Sequence, residues 1–219
     1  MSTLSSWLAR PWIFAMPLIA MACTVLPAQK DTTKFFVLTP QSGAAVSDPV
    51  HATANQLSIG LGPINFPGYL KRREIVKQIG AGQLQLSDNE RWAESLDANF
   101  QRVLSQDLAT DLGTQRVVLF PWYGRPDIDY QVEIQVHRFD VNSENQSHLD
   151  ARWIIKDGRI GRELMARESN ISSTVAPLDS AGSEALSNDL NTLSASIAHS
   201  LLDLAGRSST ATKSHNQPG

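Results

Sequence analysis

A single cysteine, Cys23, stands among 219 residues, so the chain can form no internal disulfide and no cysteine-rich metal site. The thiol must therefore be explained by its position. An excess of basic charge is missing too: 19 Lys and Arg against 22 Asp and Glu give a formal net charge of −3. That argues against nucleic acid as a general partner, because phosphate binding needs a basic surface. The local exception is the run Lys71-Arg72-Arg73, which reads most simply as a solvated loop. His51, His137, His148, His199 and His215 are scattered, and no two share a helix face at metal-ligand spacing. The chain has no GxSxG elbow and no Walker-type phosphate loop. Gly60-Leu61-Gly62 is followed by Pro63 rather than a helix N-terminus, so it is no dinucleotide fingerprint. Asp127, Asp129 and Glu133 lie near one strand start, where Asp129 and Glu133 share a polar face with Gln131, and solvent exposure is their simple reading. These absences leave no catalytic residue, metal or cofactor to expect.

Long apolar runs are also lacking. Residues 1–10 carry Arg10 and no acid, and Pro11 to Ala22 is apolar but too short to span a bilayer. The stretch reads as a signal-peptide core over 1–22. Ala20-Met21-Ala22-Cys23 places small residues third before the cysteine and immediately before it, which resembles the lipobox of bacterial lipoproteins. Cys23 is then the lipidation site, acylated on sulfur and nitrogen, with palmitate-like chains holding the protein to a membrane. Each buried methylene contributes about 0.8 kcal/mol, so several chains make a stable anchor. A plain secretory cut and a retained anchor stay open as alternatives, because Ala20 replaces the usual Leu and Pro17 interrupts the run. Thr24 follows instead of Asp, which by analogy favours the periplasmic face of the outer membrane. Residues 23–34 form a polar tether.

With 42% apolar residues, the remainder can bury one core. Phe35 to Leu38 reads as a first strand and 41–55 as a loop. Leu57, Ile59 and Leu61 alternate with small residues as in a strand, broken by Pro63 and Pro67-Gly68. The loop that follows, with Ile64, Phe66, Tyr69 and Leu70, either folds back on the core or presents an aromatic patch. Ile75-Val76 and Leu84 to Leu86 read as a short strand pair around Gly80-Ala81-Gly82. Ser87-Asp88-Asn89-Glu90 has the capping-box form, with an amphipathic helix after it whose stripe is Trp92, Leu96, Phe100, Val103, Leu104, Leu108 and Leu112, stopped by Gly113. Val117 to Phe120 is a short strand, and Pro121 to Pro126 an aromatic turn. Ile128 to Val136 alternates cleanly, and the phase shift to Phe139 and Val141 predicts a bulge near His137-Arg138. Leu149 to Ile155 continues the alternation, Asp157-Gly158 suits a tight hairpin turn, and Ile160 to Thr174 returns. Leu186, Leu190, Leu193, Ile197, Leu201 and Leu204 make a second amphipathic helix with Gly206 just past its end. Residues 206–219 read as a disordered tail. The expected fold is α+β over 35–205, an antiparallel-rich sheet with two amphipathic helices packed on one face.

Five blocks resemble one family. The pattern GPxxxPxYLxRxxIV at Gly62 to Val76, RWAExL at Arg91 to Leu96, LGTQRVV at Leu112 to Val118, HRFD at His137 to Asp140 and ARW at Ala151 to Trp153 are similar to those of PqiC-like lipoproteins, auxiliary components of ABC-type transport. The resemblance implies a non-enzymatic, outer-membrane-anchored subunit that docks on the periplasmic end of a PqiB-like tunnel protein with MCE domains. It would support lipid movement between membranes and envelope integrity, and could assemble as a homo-oligomeric ring. If the partner meets the aromatic loop, Phe66, Tyr69 and Leu70 are the contacts. The alternative is a solitary carrier that holds an acyl chain between sheet and helices; Trp92, Phe100, Trp153 and the Leu ladder argue that this space is filled. Cys23→Ser is expected to release the protein from the membrane fraction, and retention equal to wild type on fractionation would contradict the lipoprotein reading.

Overall fold

The computed structural model describes residues 32–42, 56–124, 126–177, 179 and 181–215, so the expected signal peptide, Cys23 and most of the expected tether lie outside the described residues. The elements run β1 (Lys34–Phe36), β2 (Ile59–Asn65), β3 (Glu74–Gly80), β4 (Gln83–Trp92), α1 (Leu96–Leu112), β5 (Val117–Leu119), β6 (Tyr130–Asn142), β7 (Gln146–Asp157), β8 (Glu163–Thr174) and α2 (Ser183–His215). All eight strands join one sheet. Strand β6 is its hub: β7 pairs antiparallel along one edge, while the other edge takes β2 in parallel over Tyr130 to Gln135 and then β3 in parallel at Val141-Asn142. Beyond β2 lies β5, and beyond β3 lie β4 and then β1.

The fold is therefore mixed α/β, and the antiparallel-rich expectation holds only in part. The meander β6–β7–β8 and the hairpin β3–β4 are antiparallel, but β1–β4, β2–β5, β2–β6 and β3–β6 are parallel. Alternating side chains report which face is buried and carry no strand direction. Only the connections set direction.

Local signals were overruled in four places. Ser87 to Glu90 lies inside β4, where the Ser87 hydroxyl donates to Glu90 Oε2 at 3.0 Å and caps nothing. Pairing of β4 with both β1 and β3 outweighs the capping preference, and α1 starts later, after Ser95, so Trp92 ends a strand. Pro63 does not end β2, because the register shifts between Leu61 and Ile64 and a bulge tolerates a proline. The β7–β8 connection spans 158–162, longer than a two-residue turn; the Asp157 carboxylate accepts the amides of Arg159 and Ile160 at 2.9 and 3.1 Å. Finally, α2 continues through Gly206 to His215, since one helical glycine costs only about 1 kcal/mol and no proline occurs before Pro218.

Both helices pack on one sheet face. From α1, Phe100, Val103, Leu104, Leu108 and Leu112 are wholly buried, and from α2 so are Leu190, Leu193, Ile197 and Leu201. They meet Val132, Val136, Leu149, Trp153 and Ile155 of β6 and β7 in one continuous core. Gly113 ends α1 in the left-handed region at φ 64°. Thr114 then donates its hydroxyl to the Leu57 carbonyl at 2.8 Å, which ties the helix end to the entry of β2. At the start of α2 the Asp179 carboxylate accepts the amides of Ser183, Glu184 and Ala185, a first-turn cap that favours negative charge.

A polar seam crosses the helix pair. Asp107 of α1 is fully buried and accepts the Gln41 amide at 2.9 Å, while Asp111 accepts from Gln41 Nε2 and from the Ser194 hydroxyl of α2, each at 2.7 Å. Burial pushes the Asp107 carboxyl up from 3.8 to about 6; the Asp111 charge adds to this, and the Gln41 amide opposes it. Because the folded state holds that proton more tightly than the unfolded chain, the group's contribution is complete below about pH 4 and is lost as pH rises through about 6. Stability differences between wild type and Asp107→Asn, measured by denaturant unfolding from pH 4 to pH 7, are expected to shift by about 2 kcal/mol against the wild type.

Candidate functional site

The outer sheet face, away from the helices, is bare at β2. Gly60 leaves no side chain there, and the segment after β5 lies on it: a Cβ on Gly60 would stand 2.7 Å from Ile128 Cδ1 and 3.1 Å from Trp122 Cη2. Phe120 packs edge-on against Trp122 with ring centroids 5.3 Å apart. On the other side of the same loop, Gly158 comes so close to Ile128 that a Cβ would collide with its carbonyl, and the Gly158 amide donates to the Asp129 carbonyl at 2.9 Å. Glycine at 60 and 158 thus lets the β5–β6 and β7–β8 connections converge. Between them opens a cleft of about 480 Å³ lined by Trp122, Asp127, Ile128, Gln131 and Arg159 among others.

Its rim is unusually apolar for a surface. Tyr123 is 97% exposed and Ile160 69%, and Leu119 and Phe120 are also exposed. Large apolar side chains gathered at loop tips of one end of a sheet mark an interaction surface more often than scattered ones do. The polar groups beneath are mutually engaged. Asp129 accepts the Ser58 amide at 3.0 Å and faces Arg159 at 3.6 Å, and Glu133 takes Lys156 Nζ at 2.7 Å and Gln131 Nε2 at 3.1 Å. Asp129 and Glu133, expected to face solvent, are half-buried and paired instead, while Asp127 is exposed. Asp129 thus links the entry of β2 to Arg159 on the cleft's wall.

The residues singled out from sequence fare unevenly. Cys23 lies outside the described residues. Phe66 and Leu70 are 6% and 3% exposed, so they form no displayed patch: the changeover from β2 to β3 leaves the middle of β6 uncovered on that edge, and the loop folds over it. Phe66 packs edge-on against Phe100 at 5.1 Å, and Phe100 against Phe139 at 5.4 Å. Tyr69 is half-buried and donates to the His137 carbonyl at 3.4 Å; burial raises its phenol, with Asp140 adding to the rise. Asp140 is itself buried and held by Arg138 Nε and Nη2, each 2.9 Å from Oδ1. Burial raises this carboxyl, against the pull of Arg138. Such a knot fixes the bulge in β6 and presents no free base. His137 is exposed, His148 lies 3.1 Å from Asn142 Nδ2, and His199 faces Asp203 at 3.7 Å. Among the described residues no group of three metal-ligating side chains converges.

The rim was visible in sequence only as an aromatic turn. Its meaning needed the contact between two loops about forty residues apart, which no local pattern encodes.

The family model described as ABC-type transport auxiliary lipoprotein component matches residues 36–200. No curated protein matches the chain in sequence. Among solved structures, a Xanthomonas campestris protein of family DUF330 superposes with a TM-score of 0.66 at 13% identity, covering 81% of this chain and 99% of that one. An uncharacterized protein superposes with a TM-score of 0.60 at 17% identity, over 77% and 98% respectively. At these identities the two structures speak for the fold.

Gly60→Val is expected to cost about 1–3 kcal/mol by overpacking, read as a lowered midpoint in denaturant unfolding. Gly68→Ala, where an added Cβ meets nothing within 4 Å, serves as the near-neutral control; equal losses in both would show that the loop does not press on β2.

Proposed function

Because this chain belongs to the family of ABC-type transport auxiliary lipoprotein components, we propose that it is the membrane-anchored periplasmic subunit of an MCE-type lipid-transport system. In this reading Cys23 carries the acyl chains, the outer membrane holds them, residues 24–34 give reach, and the folded body docks on a PqiB-like tunnel protein. The family description implies a non-enzymatic role and an association with a transporter. The observation that carries the reading is the family match across most of the folded body. The packing supports it: moving an amphiphile across water needs a continuous apolar path, and the space between sheet and helices holds Trp153, Phe100 and Phe139, each at most 2% exposed. A body so filled docks or completes a conduit instead of carrying one lipid.

The rim at Phe120, Tyr123 and Ile160 is the docking surface this reading favours, since its side chains already stand in solvent and bury area on contact. Tyr69, the least buried of the three residues expected from sequence, is a secondary contact. A ring of copies fits the same reading, with the long strand β8, which among the described residues pairs only with β7, as one place for copies to meet. Tyr123→Asp combined with Ile160→Asp is expected to abolish co-purification of the MCE-domain protein from membranes while leaving thermal unfolding unchanged. Undiminished co-purification would move the docking surface elsewhere, and absence of any transporter component with wild type would overturn the proposed role.

A further inference from the structure

The basic run 71–73, the one concentration of positive charge in a chain of net charge −3, stands beside the point where the tether enters the fold. The dipeptide Trp92-Ala93 joins them. On one side the Ala93 amide donates to the Phe36 carbonyl of β1 at 2.9 Å; on the other the Trp92 amide donates to the Arg73 carbonyl at 2.7 Å, and Arg73 Nη2 donates to the Ala93 carbonyl at 3.1 Å. Two strand spacings, about 10 Å, therefore separate β1 from the basic run. Lys71, Arg72 and Arg73 are all exposed, and none of the ion pairs formed among the described residues uses them. Apolar surface lies alongside: Phe35 is 60% exposed and Val37 42%, on the side of β1 opposite to Phe36 and Leu38, which face the core. Arg91, the register partner of Phe35 across β1–β4, is half-buried and stands beside Glu74, its register partner across β3–β4, so it adds no exposed cation to those of the run 71–73.

We infer that this limb of the sheet is a contact surface for an anionic glycerophospholipid bilayer, with Lys71, Arg72 and Arg73 meeting headgroup phosphates and Phe35 entering the interface. The inference rests on the proposed anchor and deepens it. Cys23 lies 34 − 23 = 11 residues before Lys34, a covalent reach of at most about 40 Å, so an acylated Cys23 keeps β1 near the bilayer. A tether alone leaves the body free to tumble. Cations and an exposed aromatic at the tether's exit set one face toward the lipid, as paired weak signals do at membranes generally. The charge complementarity selects lipid over a protein partner here, since a bilayer surface offers phosphates at every approach and needs no matched shape.

The test uses the full chain carrying Cys23→Ser, so that no acyl chain contributes, in co-sedimentation with two vesicle preparations: phosphatidylcholine alone, and phosphatidylcholine with about one third phosphatidylglycerol. Partition is expected to be about tenfold stronger on the anionic vesicles, to fall as salt is raised, and to drop to the neutral-vesicle level in Lys71→Glu with Arg72→Glu. Thermal unfolding of the charge-reversed protein, expected unchanged, excludes misfolding as the cause. Equal partition onto both vesicles, or full binding by the charge-reversed protein, would overturn the inference. Should that happen while the rim variants still lose the transporter protein, the proposed role stands and only the lipid contact falls.

Discussion

Everything in this fold depends on how one edge of β6 is divided. Its backbone groups must be paired or covered along thirteen residues, and no single neighbour does so. Strand β2 takes the first half in parallel, β3 takes the last residues, and between them the register of β6 against β7 slips at Val136 to Arg138. Into this interval fold Phe66, Tyr69 and Leu70, and the edge-on chain Phe66, Phe100, Phe139 carries the closure from loop to helix to strand. The buried Asp140, clasped by Arg138, pins the bulge from the other face.

That division also gives the sheet two limbs with different surfaces. The β2–β5 limb is stripped to glycine on its outer face, so the segment holding Trp122 settles there and pushes Tyr123 and Phe120 to the rim with Ile160 opposite. The β3–β4–β1 limb ends where the tether arrives and carries the exposed cations. The proposed role, between a bilayer and a transporter, calls for two such unlike faces, one for phosphates and one for apolar protein surface. Separating them on two limbs of a rigid sheet keeps each in a constant orientation to the other.

Much of the architecture was legible along the chain. The clean alternation from Tyr130 to Val136, the phase slip at His137-Arg138 and the answering alternation from Leu149 to Ile155 report a meander with one buried face, because a pleated strand has a strict period of two. The two leucine-rich stripes and Gly113 report helices for the equally local reason of a 3.6-residue period. Ser87 to Glu90 misled because a capping box is also an acceptable polar strand, and the pairing of β4 on both edges decided between them. Pro63 misled because the cost of a missing amide disappears at a bulge. For Phe66 and Leu70 the sequence left two readings open, because an apolar loop looks the same whether its cavity is on a partner or on its own core.

By itself the amino-acid order determined what depends on neighbours in sequence: the periods of strands and helices, the left-handed stop at Gly113, and blocks specific enough to point to a family. Strand direction, the sharing of β6, the burial of Phe66, the meeting of Trp122 with Gly60 and the placing of Lys71 to Arg73 beside β1 were decided only in three dimensions. The reason is physical: each of these is a contact between segments distant in sequence, and its free energy exists only once the chain between them has folded.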